Sequence, residues 1–155
     1  MRRHAIDKID TGIISHLQQD GRRAFTSIAK DLGISEASVR QRVARLLRSG
    51  VIQIVAVSNP LDLGLIWAQV NLRVAGNRIE AVAEEMAKLR QVDYVGICAG
   101  NFDIVAGVVA HDREELMDLL VNQIRTIPGV NQAEFLLTLK VLKDNYDWPA
   151  TEGTQ

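Results

Sequence analysis

Cysteine is almost missing from this chain. Cys98 stands alone among 155 residues, which excludes an internal disulfide framework and any multi-thiolate zinc site. Histidine is scarce as well, with three in the chain. No Ser/His/Asp set, glycine-rich phosphate loop or metal-spaced cluster points to an enzyme or to a cofactor. No apolar run approaches the roughly 18 residues of a membrane-spanning helix. The longest, such as "IVAGVVA", have the length of a strand. Behind Arg2 and Arg3 no apolar segment follows, so a signal peptide is not expected. A reducing cytoplasm is the expected location, away from any membrane. What is present describes a folded protein: 47% hydrophobic and 24% charged residues, neither value in the range of disordered chains.

The net charge of −1 conceals a division. Residues 1–58 hold ten Lys/Arg against five Asp/Glu, a balance of +5, and residues 59–155 hold eight against fourteen, a balance of −6. A basic module that meets a polyanion, joined to an acidic one that does not, is the simplest reading.

In the basic half, Ile6, Ile9, Ile13, Ile14 and Leu17 recur at helical spacing, and Asp20-Gly21 is expected to close that helix on a glycine. Thr26 is the expected N-cap of a second helix burying Ile28, Ala29 and Leu32, with Gly33 supplying a positive-φ turn. Ser35 should cap a third helix that buries Val39, Val43, Leu46 and Leu47 and stops at Gly50. The β-branched "VIQIVAVS" reads as a short strand or wing, and residues 59–64 as a linker punctuated by Asn59-Pro60.

Residues 65–143 alternate in type. Strands are expected at Leu65–Val74, Val92–Ala99 and Phe102–Ala110, with a last one reaching about Leu142; helices are expected at Arg78–Leu89 and Asp112–Ile124. Gly100-Asn101 suits a tight type II′ hairpin. The order β-α-β-β-α-β is the ferredoxin-like unit, followed by a tail at 144–155. The fold class is therefore α+β, a winged helix-turn-helix at 1–58 followed by the βαββαβ domain. Several strands are apolar at both parities, as in Ile66/Trp67, Ile104/Val105 and Leu136/Leu137. Helices cover one face of such a sheet, so a second copy is the expected cover for the other, making a homodimer.

Ala29, Gly33 and Val39 carry the argument about function. A small residue where two helices cross, a glycine four residues on and an apolar plug six further make the helix-turn-helix spacing, whose second helix enters a major groove. Beyond its core positions the third helix carries Glu36, Ser38, Arg40, Gln41, Arg42, Arg45 and Arg48. Arginine can grip guanine or phosphate, and glutamine can grip adenine. Ser38, Arg40 and Gln41, near the helix start at Ser35, are the candidates for base edges. Arg42 and Arg45 are placed toward phosphate, and Arg22 and Arg23 offer further phosphate contacts. The partner is double-stranded DNA. The blander alternative is an arginine-rich solvated helix.

These residues resemble the Lrp/AsnC, or feast/famine, transcriptional regulators. The likeness runs through Ile6-Asp7, Asp10, Leu17-Gln18, Asp20-Gly21-Arg22, Ile28-Ala29 and Leu32-Gly33-Ile34-Ser35. It continues through Val39, Arg42-Val43, Arg45-Leu46, Gly50-Val51-Ile52, the Pro60 to Gly64 connection, Gly100, Asp103 and Pro128-Gly129-Val130. The resemblance covers about residues 5–143. It implies dimers joined through their sheets, often assembled into octamers, and a C-terminal domain that senses an amino acid or related small molecule.

The family's effector site corresponds here to Gly100-Asn101-Phe102-Asp103, where backbone N–H groups can hold a carboxylate and Asp103 an ammonium. Those four residues equally make a turn with Asp103 serving its geometry. Where the family carries Thr-Glu-Thr after Pro-Gly-Val, this chain has Ala133-Glu134-Phe135. Two hydroxyls are lost and a ring gained, which favours an apolar or aromatic effector or none. Leu47 replaces a usually acidic residue. Two other functions stand beside the ligand-responsive regulator: an architectural protein needing no effector, and an enzyme resembling tetrapyrrole decarboxylases. The latter has only His111 to offer in the C-terminal half.

Overall fold

The structure is a computed structural model that describes residues 6–144. Residues 1–5 and the tail beyond Asp144 lie outside the described residues. The chain falls into two compact units, one reaching Val57 and the other spanning Ser58–Leu142.

The first unit is three helices, α1 (Lys8–Gln19), α2 (Phe25–Leu32) and α3 (Glu36–Arg48). Asp7 caps α1 in a reciprocal box: its carboxylate accepts from the Asp10 N–H at 2.8 Å, and the Asp10 carboxylate accepts from the Asp7 N–H at 3.2 Å. The helix ends on Asp20 in extended backbone rather than on a left-handed Gly21. The Asp20 carboxylate accepts from the Arg22 N–H at 2.8 Å and turns the chain without a positive φ. The second helix starts at Phe25 with Ala24 at its cap, so Thr26 lies inside its first turn. Gly33 takes φ 66°, and Ser35 Oγ accepts from the Ser38 N–H at 3.2 Å, as expected of a turn glycine and an N-cap.

Ile13, Ile28, Ala29, Val39 and Val43 form the core of this unit, and Leu46 is buried as well. Leu47 is not, at 42% exposure. Val39, Val43 and Leu46 already fill the i, i+4, i+7 stripe, and Leu47 sits roughly 80° around the helix from its start. Among the described residues no wing strand is seen: residues 52–57 carry no ladder, and all four paired strands belong to the second unit.

The second unit is a four-stranded antiparallel sheet in the order β2-β3-β1-β4, built from β1 (Ile66–Val74), β2 (Val92–Ile97), β3 (Ile104–Ala110) and β4 (Val130–Leu137). With α4 (Ile79–Lys88) and α5 (Arg113–Asp118) it gives the expected βαββαβ order. Past Asp118 the coil widens into a π turn over Leu119–Ile124, with the Arg125 N–H donating to Leu120 O at 3.2 Å. That turn keeps Leu119, Leu120 and Ile124 in the core beside Val70, Leu72, Val82, Met86 and Ile104.

Two boundaries differ from expectation. The β2–β3 ladder ends at Ile97↔Ile104, so residues 98–103 make a wide loop, closed by the Cys98 N–H on Asp103 O at 2.8 Å. A two-residue hairpin is ruled out. β4 ends at Leu137, whose partner is Ala68, with one further bond from the Thr138 N–H to Trp67 O at 3.0 Å; Leu139 and Leu142 lie beyond it and are exposed.

The sheet face away from the helices is mixed rather than apolar. Trp67, Val105, Val109 and Leu136 share it with Gln69 and Asn71, by the alternation of the strands. Gln69 donates to the Asn71 side chain at 2.8 Å, and the Trp67 indole donates to Asp93 at 3.1 Å.

Candidate nucleic-acid interface

The buried stripe of α3 fixes which side chains point outward. Opposite Val39, Val43 and Leu46, at the same i, i+4, i+7 repeat, lie Ala37, Gln41, Ala44 and Arg48. Ala37, Gln41 and Arg48 are exposed and Ala44 half-exposed. Two alanines on this face leave room for a backbone or a thymine methyl to approach. Ala37 and Ala44 were not singled out from the sequence, because an alanine pair reads as helix filler until the rotation of the helix is known.

The remaining expected contacts fall on the flanks. On the α2 side, Arg40 pairs with Glu36 one turn earlier and stacks on the Phe25 ring, 5.5 Å from its centre. The pair is exposed and of the kind worth about 0.5 kcal/mol, so Arg40 can exchange Glu36 for a base edge or phosphate. Ser35 is occupied as the cap, and Ser38 is half-exposed beside it.

On the α1 side, the two arginines expected to face phosphate are both engaged by acids at the start of α1. Arg42 donates to Asp7 at 2.7 Å and to Asp10 at 2.8 Å, and Arg45 donates to Asp10 at 2.6 Å. Asp10 is fully buried. Burial pushes its carboxyl up, but the hydrogen bonds from Arg45, Arg42 and the Asp7 backbone outweigh that and leave it below the usual range. Asp7 is lowered as well, by the Asp10 N–H first and then by Arg42, and the Arg42 guanidinium is raised by Asp7 and Asp10. Breaking one side of such a buried pair costs about 3–5 kcal/mol, a larger stake than a surface contact.

Arg23 is likewise engaged, on Asp31 at 2.6 Å. The guanidiniums of Arg22 and Arg48 have no acidic partner among the described residues, and both are exposed.

The expected effector residues divide between the two sheet faces. Asp103 is held in place: its carboxylate accepts from the Val74 N–H at 2.8 Å, its N–H donates to Leu72 O at 2.9 Å, and its carbonyl closes the loop. The β1–β3 ladder ends at Leu72↔Ile104, and Asp103, next along the chain, takes up the Val74 N–H beyond that end. Phe102 lies under the Arg73 guanidinium at 5.6 Å, and Arg73 leaves β1 on the open face. Ala133 and Phe135 pack instead on the helix-covered core, with Arg125 stacked on the Phe135 ring at 5.4 Å. Gly100 and Asn101 are exposed at the loop tip. His111, a strand-to-helix residue, is bound to Glu115 at 2.8 Å, and that carboxyl is pulled down to about 2 by the His111 N–H, the His111 ring and Gln91.

Comparison with known proteins agrees with both halves. Residues 6–47 match the AsnC-type helix-turn-helix domain, and residues 65–151 match a C-terminal dimeric alpha+beta barrel domain. An HTH-type transcriptional regulator of Pyrococcus furiosus is 36% identical over 143 residues, covering 91% of this chain and 97% of its own. The regulator LrpA of Pyrococcus horikoshii is 36% identical over 142 residues, covering 89% and 99%. Among solved structures, the leucine response regulatory protein of Mycobacterium tuberculosis superposes with a TM-score of 0.82 at 25% identity, covering 92% and 99%. The named relatives are transcriptional regulators, not enzymes.

Proposed function

The chain belongs to the Lrp/AsnC family of helix-turn-helix transcriptional regulators, and from that premise we propose that α3 reads duplex DNA through Gln41, Ser38 and Arg40. One observation carries the reading. The outward stripe of α3 places Gln41 between two alanines, on the face directly opposite the core, where a groove-bound helix meets base edges. Arg22 and Arg48 supply phosphate contacts. Replacing Arg40 and Gln41 together by alanine is expected to abolish the sequence-specific footprint while general DNA binding persists. An unchanged footprint removes α3 from the role.

The chain works in the cytoplasm as a homodimer, its open sheet face covered by a second copy, and larger assemblies such as octamers follow from dimers. The description of the matched C-terminal domain as dimeric supports this. An amino acid or related small molecule binds at the Gly100–Asp103 loop, whose backbone N–H groups can hold a carboxylate and whose Asp103 can hold an ammonium. The name of the mycobacterial relative, a leucine response protein, supports an amino-acid effector.

A second reading is favoured by Ala133 and Phe135, which are spent on the core, and by Asp103, which is spent on Val74. It is a regulator that organises DNA without an effector. Thermal shifts with each amino acid separate the two. Stabilisation by at least one supports sensing, and none supports the architectural reading.

A further inference from the structure

The acidic residues of the basic unit sit opposite its arginines. Glu36 holds Arg40, Asp31 holds Arg23, and Asp7 and Asp10 hold Arg42 and Arg45. These pairs are not equivalent. Glu36 and Arg40 are exposed, so phosphate can replace one partner and water the other. Asp10 is fully buried, and each of its oxygens receives one guanidinium from α3. Asp7, locked by the capping box, holds Arg42 from the other side. Moving either arginine to phosphate strips donors from a charge that water does not reach, which is the less favourable arrangement.

We propose that Asp10 is a positioning residue for DNA recognition, withholding Arg42 and Arg45 from the phosphate backbone and fixing the rotation at which α3 presents Gln41. The proposal deepens the reading of α3 as the recognition helix and rests on it. Two of the four arginines of α3 then add nothing to the electrostatic footprint. Non-specific binding is correspondingly weak and weakly salt-dependent, and discrimination between sequences gains by comparison. The phosphate contacts come from Arg22 and Arg48, outside the buckle.

The salt dependence of binding reads this directly, because each phosphate neutralised contributes about 0.9 to the slope of log K against log salt. Full-length protein is titrated against a random-sequence duplex between about 50 and 200 mM KCl. R45Q is expected to leave the slope unchanged, whereas R48Q lowers it by about 0.9. D10N removes the charge that holds Arg45 while Asp7 keeps Arg42, so one guanidinium is freed for phosphate, steepening the slope by about 0.9 and narrowing the margin between a selected site and random DNA. A merely structural Asp10 would lower stability and leave the slope alone. The proposal is overturned if R45Q flattens the slope as far as R48Q is expected to, or if folded D10N keeps the wild-type slope. Should D10N fail to fold, R45Q decides by itself. A wild-type chain that binds no duplex at all refutes the recognition reading instead.

Discussion

Asp10 is the residue on which the first unit turns. Its carboxylate joins the start of α1 to two successive turns of α3, across 32 and 35 residues of sequence. Asp10→Ala removes the acid that joins the two helices; Arg42 keeps Asp7 and Arg45, which is 43% exposed, turns to water, so the expected cost is the loss of charge-assisted hydrogen bonds, about 1.5–3 kcal/mol. Urea unfolding followed by the exchange of α3 amides measures it. The pH dependence has a definite sign. Asp7 and Asp10 both titrate below their ordinary values in the folded chain, so their contribution is fully present above the unfolded carboxyl range near 3.9. It is lost as pH falls through the lowered folded values. Protection of α3 amides should therefore hold from neutrality to about pH 5 and decline below it, and the decline should be shallower in D10N.

Asp103 makes the same kind of statement for the second unit. Asp103→Ala leaves the Val74 N–H without its acceptor, at a cost of about 1–3 kcal/mol, and frees the 98–103 loop. Faster amide exchange at Val74 and Cys98 is the expected signature.

At the scale of elements, the helices were legible because their signals are local. Ser35 and Gly33 announce a cap and a turn at fixed offsets, and the structure uses them so. Gly33→Ala forces a Cβ into φ 66° with open space around it, so the cost is pure backbone strain of about 1–2 kcal/mol. Differential thermal unfolding checks it. The βαββαβ order was legible for a related reason, since the helices show an apolar stripe and the strands are short apolar, β-branched runs set off by turn residues. What could not be read was pairing between elements. Nothing local says that Arg42 faces Asp10 rather than phosphate, or that Phe102 and Phe135 lie on opposite sides of one sheet. Strand ends also escaped: the apolar run continues to Leu139 and Leu142, yet β4 pairs only as far as Leu137. Residues 52–57, without a ladder among the described residues, teach the same lesson: a β-branched run is a strand only when a partner is present.

At the scale of the whole molecule, a chain with net charge −1 binds a polyanion by gathering a balance of +5 in residues 1–58 against −6 in the rest, and the acids of the first unit hold several of its arginines. The open sheet face carries the second whole-molecule claim. Placing a charge there by Val109→Asp should split the dimer, since an unpaired carboxylate in a covered interface is strongly unfavourable. Sedimentation velocity should then show monomers where the wild type sediments as a dimer or larger, with the helix-turn-helix unit still folded.

The central claim is that the Gln41 face of α3 reads the sequence. Its most direct test is selection from a random duplex pool with the wild type and Gln41→Ala, followed by the measured cost of each base change in the selected site. The account predicts that the wild type enriches a defined motif. It predicts further that Gln41→Ala loses discrimination at one or two adjacent positions by about tenfold or more, corresponding to 1–3 kcal/mol, with random-sequence affinity unchanged. A Gln41→Ala protein that selects the same motif with the same base preferences contradicts it.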